Sequence, residues 1–219
     1  MIGSAHRPAR ILSSTSRNTV SKGTPSIALS LFSKRYRMSN LHGFRSAKAL
    51  CWAGLGLIAA GASAPVLMAQ FQHEKEGTSL TAYQDKSRGI WTICGGVTYV
   101  DGKPVIKGMT LTRAQCDKID KAEQAKALAW VEKNIRVPLS EPQKAGIASF
   151  CPYNIGPGKC FPSTFYKRLN AGDRKGACEA IRWWIKDGGR DCRIRSNNCY
   201  GQVIRRDQES ALTCWGIEQ

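Results

Sequence analysis

The sequence predicts an α+β fold that is mainly α, and three observations lead to this class. Residues 88–100, RGIWTICGGVTYV, carry alternating β-branched and aromatic residues, which is typical of a strand. Five segments after residue 111 show helical periodicity with start or stop signals. Eight of the nine cysteines lie after residue 90, as expected for a compact domain held by disulfides. These patterns together favour a small β-region followed by a helical lobe.

The β-region is bounded by a predicted short helix and a predicted turn. EKEGTSLTAYQD, residues 74–85, is expected to form a short helix that ends near Tyr83. Residues 101–105, DGKPV, have the composition of a turn. Thr112 is the expected N-cap of the first long helix, TRAQCDKIDKAEQAKALAWVEKNI.

Four further segments predict the helical lobe. Ser140 caps SEPQKAGIASFCPYNIG, which has Pro142 in its first turn and is expected to end near Asn154. The other segments are PSTFYKRLNAG, DRKGACEAIRWWIKDGG and GQVIRRDQESALTCWG. The pair Gly188-Gly189 is expected to stop the second of these. Trp183 and Trp184 are adjacent, so only one of them is expected to face the core.

The charges divide the chain into three segments. Residues 1–48 contain nine Lys or Arg and no acid, residues 49–72 contain no charge, and residues 73–219 contain 24 basic and 16 acidic residues. The basic excess of the last segment favours a polyanionic partner, which is nucleic acid, a cell wall or a membrane surface. Met38 opens a basic stretch before the apolar run, as a secretory N-terminus does. We therefore expect Met38 to be the working start, with residues 1–37 untranslated.

The uncharged segment 49–72, ALCWAGLGLIAAGASAPVLMAQFQ, has the length of a membrane span, since about 20 apolar residues cross the hydrocarbon core. Eleven of its residues are Ala, Gly or Ser, so it is only weakly apolar. The positive charges before it should keep its N-terminus in the cytoplasm and direct the rest of the chain to export. We expect an uncleaved anchor helix. The alternatives are a signal peptide cleaved after Ala64, which the adjacent Pro65 disfavours, and a core helix.

The cysteine pattern argues against a metal. No two cysteines are spaced as C-x-x-C, and all three histidines precede the eight clustered cysteines. We expect no metal and no cofactor, and an oxidising compartment in which these eight residues form disulfides. Eight cysteines allow roughly a hundred pairings. The ninth, Cys51, lies alone in the uncharged segment.

Two carboxylates and a threonine form the candidate catalytic set. Glu76 and Asp85 are separated by eight residues, and Thr92 comes after them in the predicted strand. Cleavage of a glycosidic bond requires an acid and a second carboxylate whose pKa values differ, and a threonine hydroxyl can orient water. The alternative is that both acids are surface residues and Thr92 is an ordinary strand residue. The glycines at 95 and 96 are expected to let a sugar chain approach the backbone.

The order of the sequence blocks carries a resemblance to a known family. Glu76-Gly77, Asp85 and GIWTICGG are succeeded by SFCPYNIG, STFYKRLNAGD, WWIKDGG and GQVIRRDQE. This series resembles the phage lysozymes of glycoside hydrolase family 24, including the lambdoid phage endolysins, over about residues 73–219. The resemblance implies a phage-lysozyme-like fold and three segments: a basic segment 1–48, a signal-anchor 49–72 and a muramidase domain 73–219.

The resemblance also implies roles for individual residues. Glu76 would be the general acid, Asp85 the second carboxylate, and Thr92 the residue that positions water. Six residues separate Asp85 from Thr92, one more than is usual in the family, and the extra residue is expected in the turn at 86–89. Tyr153 and Asn154 would line the saccharide cleft, or else be a core residue and a helix cap. Two further residues, Arg205 and Arg206, would either meet peptidoglycan carboxylates or be solvated.

The function that the resemblance implies is hydrolysis of the β-1,4 bond between N-acetylmuramic acid and N-acetylglucosamine, with lysis of the host cell. The enzyme would be a monomer that binds bacterial peptidoglycan and no nucleic acid. Residues 49–70 would tether it to the inner membrane before release to the periplasm, with a holin or pinholin as functional partner. The alternative is a non-catalytic, basic, membrane-anchored protein that binds the wall or disrupts membranes.

The expected disulfides are mostly local. They are Cys94–Cys116, Cys151–Cys160, Cys178–Cys214 and Cys192–Cys199. Some endolysins with such anchors use an anchor cysteine as a redox switch, so Cys51 is either such a switch or an inert thiol.

Overall fold

A computed structural model of the chain describes residues 52–85 and 89–217. The basic N-terminal segment and Cys51 lie outside these residues, and so do the side chains of Trp52, Ala53 and Glu76. The helices are α1 (Trp52–Ala59), α2 (Ala64–Glu76), α3 (Arg113–Asn134), α4 (Glu141–Ala148), α5 (Pro157–Cys160), α6 (Thr164–Asn170), α7 (Arg174–Ile181) and α8 (Tyr200–Thr213), with a π-helix (Ser149–Ile155) and a 3-10 helix (Arg195–Asn197). The strands are β1 (Ser79–Gln84), β2 (Trp91–Cys94), β3 (Tyr99–Val100), β4 (Lys103–Pro104), β5 (Lys186–Asp187) and β6 (Arg190–Asp191), which pair in sequence as three antiparallel hairpins.

The apolar segment forms two helices in this structure rather than one continuous anchor helix. The chain turns between α1 and α2 at Gly61, which has a φ of 74° that favours glycine. Pro65 lies in the first turn of α2, where proline is well tolerated. No helix in the described part of the chain is long and apolar enough to cross a membrane.

Helix α2 belongs to the core of the folded domain. Leu67, Met68 and Phe71 are buried, and Leu67 and Met68 join the larger hydrophobic cluster formed with α3, α4 and α7. The helix runs through residue 73, where the sequence analysis places the start of the muramidase domain. The structured body therefore includes the C-terminal half of the apolar segment.

The prediction of a short helix ending near Tyr83 is wrong. The helix ends at Glu76 because Gly77 adopts a φ of 63°, and residues 79–84 form strand β1. The β-branched and aromatic residues of β1 pair with β2, where Tyr83 lies opposite Thr92. Cross-strand pairing thus outweighs the weak local helix preference of this segment.

Helix α3 is shared by two hydrophobic cores. Thr112 and Gln115 form a capping box at its start, which confirms the predicted N-cap. Cys116 near its N-terminus packs in the core of the β-region, whereas Ala127 and Val131 pack in the core of the helical lobe. The β-region and the helical lobe are therefore joined along one helix.

The helical lobe confirms most of the predicted segments. The segment that begins after Ser140 runs through α4 into the π-helix and ends before Gly156, close to the predicted end. Helix α7 ends at Ile181, so the prediction that Gly188-Gly189 stops it is wrong. Both glycines have positive φ and form the turn of the β5–β6 hairpin, a conformation that suits a two-residue loop. Trp184 packs against the core and its neighbour is 56% exposed, as expected for adjacent residues.

Four disulfides link elements of the described domain. They are Cys94–Cys116, Cys151–Cys160, Cys178–Cys214 and Cys192–Cys199, the same pairs that the sequence analysis expects. The first joins β2 to α3, and the third joins α7 to the end of α8. The other two close short loops.

The start of α2 predicts a pH-dependent contribution to stability. The Ala64 N–H donates to Glu141 Oε2 at 2.7 Å, and this bond, together with the smaller effect of the bond from Lys144, lowers the pKa of Glu141 below its usual value. A carboxyl whose pKa is lower in the folded state stabilises the fold above its unfolded pKa and loses this contribution as the pH falls through the folded pKa. Glu141→Gln should therefore lower the free energy of unfolding near pH 7. The loss should be only roughly 0.5 kcal/mol, because the Glu141 side chain is 42% exposed and water weakens its charge interactions.

Urea unfolding from pH 7 to pH 3 measures this effect. The difference between the two proteins should shrink as the pH falls through the lowered pKa of Glu141, where the wild-type carboxyl takes up its proton. Parallel stability curves over this range would contradict the assignment of a cap to Glu141.

Candidate active site

The three candidate catalytic residues lie on successive elements. Glu76 is the last residue of α2, and its backbone marks the point where this helix meets the β-region. Asp85 directly follows β1, and Thr92 lies within β2. The side chain of Glu76 lies outside the described residues, so its place is known from the backbone alone.

The hairpin places Asp85 and Thr92 on one side of the sheet. Thr92 lies opposite Tyr83, and Asp85 is two residues beyond Tyr83 along the chain. Because side chains alternate along a strand, residues two apart share a face. The Asp85 N–H donates to the Ile90 carbonyl at 2.9 Å, which continues the pairing of the two strands past Gln84 and Trp91.

Thr92 is buried, with 5% of its surface exposed. Its hydroxyl donates to the Ile90 carbonyl at 3.2 Å, two residues back in the chain. A hydroxyl that donates one bond still has oxygen lone pairs that can accept a bond from water. The bond to Ile90 fixes the direction in which those lone pairs point.

A hollow of about 570 Å³ lies at the end of α2. His73, Gly77 and Thr78, which flank Glu76 in the chain, contribute to its wall. Helix α3 supplies charged groups, and the C-terminal end of the β1–β2 hairpin supplies Gly95. The charged residues in the wall from α3 are Arg113, Asp117, Asp120 and Lys121. We call this space the polar hollow.

A second hollow of about 480 Å³ is richer in aromatic rings. Tyr99 from β3, Trp130 from α3 and Tyr153 from the π-helix line it. Tyr153 also lines the polar hollow, so its side chain lies between the two spaces. We call the second space the aromatic hollow. Asp85 and Thr92 are absent from the described lining of both.

Gly95 is held on both sides of its backbone. Its N–H donates to Asp120 Oδ1 at 3.1 Å, and its carbonyl accepts from the Tyr153 hydroxyl at 3.0 Å. A Cβ at this position would lie 3.0–3.1 Å from the Asp120 carboxylate, so the carboxylate would have to move back by a few tenths of an ångström. Glycine at this position therefore lets Asp120 approach closely, and the approach of a sugar chain stays a prediction. Gly96 beside it is exposed.

Asn154 contacts a buried arginine. Its Oδ1 accepts a hydrogen bond from Arg206 Nη2, and the Arg206 Nε donates to the Trp184 carbonyl at 3.2 Å. Arg206 has no exposed surface and Arg205 is 8% exposed. Both alternatives of the sequence analysis for the two arginines, wall binding and solvation, are therefore wrong.

The two arginines share one buried acid. Glu209 is fully buried, and it pairs with Arg206 Nη1 and with Arg205 Nε, the latter at 3.1 Å. The Ser149 hydroxyl donates to Glu209 Oε1 at 2.8 Å. Arg205 Nη2 also donates to Gln72 Oε1 at 3.3 Å, and Gln72 lies one helical turn before Glu76 on α2. We call these five residues the Glu209 cluster, and it attaches the helix that ends at Glu76 to α8.

The sequence contains a signal for this cluster. Arg205 and Arg206 precede Glu209 by four and three residues, the spacing at which opposite charges meet on a helix. Burial was the part that this spacing could not predict, since the same spacing is common on solvated helices. Within the described residues, no group of three His, Cys, Asp or Glu side chains is placed to hold a metal ion.

Comparisons with known proteins agree with this architecture. The family model described as phage lysozyme matches residues 73–209. The SAR-endolysin of Escherichia phage 933W is 77% identical over 165 residues, which cover 75% of this chain and 93% of the relative. A probable prophage lysozyme of Escherichia coli is 78% identical over 165 residues, which also cover 75% of this chain and 93% of the relative. Among solved structures, the endolysin of phage FAHEc1 has a TM-score of 0.57 and 34% identity, and the match covers 69% of this chain and 92% of that one.

The Glu209 cluster predicts a large loss of stability when it is broken. Glu209→Ala would leave two buried guanidinium groups without their carboxylate, and breaking a buried pair costs about 3–5 kcal/mol. Glu123→Ala is the matched control, since it removes an exposed i,i+3 pair with Lys126 and should cost less than about 0.5 kcal/mol. Urea unfolding of both variants measures the two costs. Equal small losses would show that the cluster contributes little.

Proposed function

This chain belongs to the phage lysozyme family, and from that membership we propose that Glu76, Asp85 and Thr92 form its catalytic set. The enzyme is a lysozyme, a glycoside hydrolase that lyses the host cell. The proposed bond is the β-1,4 linkage between N-acetylmuramic acid and N-acetylglucosamine in peptidoglycan. The observation that supports this most directly is that α2 ends at Glu76 beside the polar hollow, with the hairpin of Asp85 and Thr92 next along the chain.

Each residue has a defined chemical role in this proposal. Glu76 as general acid donates a proton to the oxygen of the leaving sugar. Asp85 is the second carboxylate: it stabilises the positive charge that develops on the sugar ring and accepts the proton that the attacking water loses. Thr92 accepts a hydrogen bond from water through the lone pairs that its bond to Ile90 leaves open, and so orients that water.

The hollows suit a saccharide. The aromatic hollow presents the rings of Tyr99 and Trp130, and aromatic faces bind the apolar faces of sugar rings. The polar hollow presents charged and amide groups that can bond hydroxyl and acetamide groups. Tyr153 lies between the two hollows, and Asn154 follows it in the chain with its amide oxygen bonded to Arg206. Both residues are proposed to line the saccharide site.

Membership of an enzyme family disfavours the non-catalytic alternative, a basic protein that only binds walls or disrupts membranes. The basic excess of residues 73–219 has a ready explanation in an anionic wall. The proposed partners are therefore peptidoglycan and no nucleic acid, and we propose that the enzyme acts as a monomer.

We also propose that residues 49–70 tether the enzyme to the inner membrane before it is released to the periplasm. The relative from phage 933W, at 77% identity, is named SAR-endolysin. The apolar residues of this segment have two possible environments, because Leu67 and Met68 are buried in the folded domain and their side chains are equally suited to lipid. A holin or pinholin that alters the membrane would be the functional partner of this release.

Replacement of the general acid is the direct test of the catalytic set. Glu76→Gln removes the proton donor without changing the size of the side chain, and hydrolysis should fall by roughly 10²–10⁴-fold or more. The reducing sugar released from purified peptidoglycan measures activity, and urea unfolding shows that the variant is folded. Glu74→Gln is the matched control on the same helix, where the carboxylate accepts from Gln70 at 2.7 Å. A folded Glu76→Gln protein that still lyses cells would support the membrane-disrupting alternative.

The proposed membrane tether leads to a prediction about its glycines. Replacing Gly54, Gly56 and Gly61 with Leu adds on the order of 1–3 kcal/mol of apolar burial in lipid per residue. Leu at position 61 also strains the released conformation, where φ is 74°, whereas position 56 has open space around it. The triple variant should stay in the membrane fraction and lyse cells late, and Gly56→Leu alone should have a smaller effect.

Cell fractionation and the mass of the soluble enzyme measure this release. Gly201→Leu on α8, where a Cβ also meets nothing within 4 Å, is the control and should leave the distribution unchanged. A periplasmic product that begins near Pro65 or Gln70 would show signal cleavage and rule out release of the intact tether.

A further inference from the structure

We propose that Asp120 and Tyr153 are positioning residues that hold the Gly95 peptide from opposite sides and thereby set the place of the Thr92 strand against the helical lobe. We call the three residues the Gly95 clamp. The inference rests on the proposed function, because it assigns Thr92 a part in the reaction. It gives the Tyr153 hydroxyl a role that does not require contact with the sugar.

The clamp connects three elements at one residue. Asp120 lies on α3 and Tyr153 lies on the π-helix, whereas Gly95 directly follows β2. Their bonds to the Gly95 N–H and carbonyl measure 3.1 and 3.0 Å. A single residue is thus bonded to two helices through its own backbone, so that the end of β2 can shift only if one of these bonds breaks.

The clamp lies close enough to Thr92 to determine its position. Gly95 is three residues beyond Thr92, in a tight loop closed by two bonds of 2.9 Å between Ile93 and Val97. The Cys94–Cys116 disulfide attaches the preceding residue to α3. The clamp and the disulfide therefore hold consecutive residues, two and three positions beyond Thr92, against the helical lobe.

The clamp also lies where the β-region meets the helical lobe, and each of these two parts of the domain carries some of the proposed catalytic residues. Asp85 and Thr92 belong to the β-region, and Glu76 ends α2, which packs in the core of the helical lobe. Asp120 lies on α3 between Cys116, in the first core, and Ala127, in the second. The bonds of the clamp are therefore part of what fixes the separation of Glu76 from Asp85 and Thr92. A misplacement of about 1 Å can lower a catalytic rate by roughly 100-fold.

Tyr153→Phe separates this role from sugar stacking. Phenylalanine keeps the ring face and loses the hydroxyl, so a residue that only stacks on sugar would keep both kcat and KM. We expect kcat on purified peptidoglycan to fall by roughly tenfold with KM changed by less than about twofold, because the interaction lost is one of geometry rather than of substrate binding.

Tyr166→Phe is the matched control. Its hydroxyl donates to the Asn134 carbonyl at 3.2 Å, so this variant also loses one tyrosine-to-backbone bond, at a residue that lines neither hollow. Urea unfolding should show similar losses of stability for the two variants, whereas only Tyr153→Phe should lower kcat. An equal fall of kcat in both would mean that loss of stability explains the effect, and the clamp would be rejected.

The other side of the clamp provides an independent test. Asp120→Ala removes the acceptor of the Gly95 N–H and should lower kcat, whereas Asp120→Asn keeps an acceptor oxygen and should restore most of it. Gly95→Ala perturbs the same contact without deleting any group, because the new Cβ would meet the Asp120 carboxylate at 3.0–3.1 Å. It should lower kcat in the same way.

The double variant decides whether the two residues act as a unit. If both hold the same peptide, Tyr153→Phe with Asp120→Ala should lower kcat by less than the product of the single effects. Unchanged kcat in both single variants, or fully multiplicative effects in the pair, would overturn the clamp. Such a result would leave the proposed function intact as long as Glu76→Gln abolishes hydrolysis, whereas an active Glu76→Gln enzyme would reject the function itself.

Discussion

The helical lobe depends on the burial of one carboxylate. Glu209 has no exposed surface, and removing such a charge from water is costly unless its partners are all in place. Its partners come from three directions: Arg205 and Arg206 from α8, Ser149 from the π-helix, and Gln72 through Arg205 from α2. An incomplete lobe would leave some of these groups buried and unsatisfied. The cluster therefore favours the arrangement in which the helix of Glu76 is docked.

Docking of α2 has a second consequence, because this helix begins within residues 49–70, the segment that we propose as the tether, and continues beyond it. Leu67, Met68 and Phe71 supply apolar surface that either lipid or the protein core can accept. Gln72 is different, since its amide finds partners in Arg205 and Ser149 but none in a hydrocarbon environment. The polar contacts of Gln72, just beyond the proposed tether, therefore stabilise only the folded domain. The small residues of the tether keep its own preference for lipid weak.

Local signals explain which parts of the fold could be predicted. Thr112 and Ser140 have their capping partners three residues away, so both helix starts are encoded in a few adjacent residues. The wrong predictions concern segments whose structure is decided by distant partners. Residues 79–84 become a strand because β2 lies beside them, and Gly188-Gly189 becomes a hairpin turn because the flanking residues pair with each other. The burial of Arg206 likewise depends on Asn154 and the Trp184 carbonyl, far away in the sequence.

The candidate site also divides into residues that local sequence predicts and residues whose part is decided by distant partners. Glu76, Asp85 and Thr92 were proposed from their order in the chain, which is local information. Asp120 was not, because nothing in its surroundings on α3 distinguishes it from other helix acids. Its role becomes visible only through the structure of its neighbours. Cys116 and Asp120 are one helical turn apart, and they contact the consecutive residues Cys94 and Gly95. A covalent bond and a charged hydrogen bond thus attach the end of β2 and the residue after it to one face of α3, and glycine at position 95 lets the carboxylate approach the backbone without having to move back.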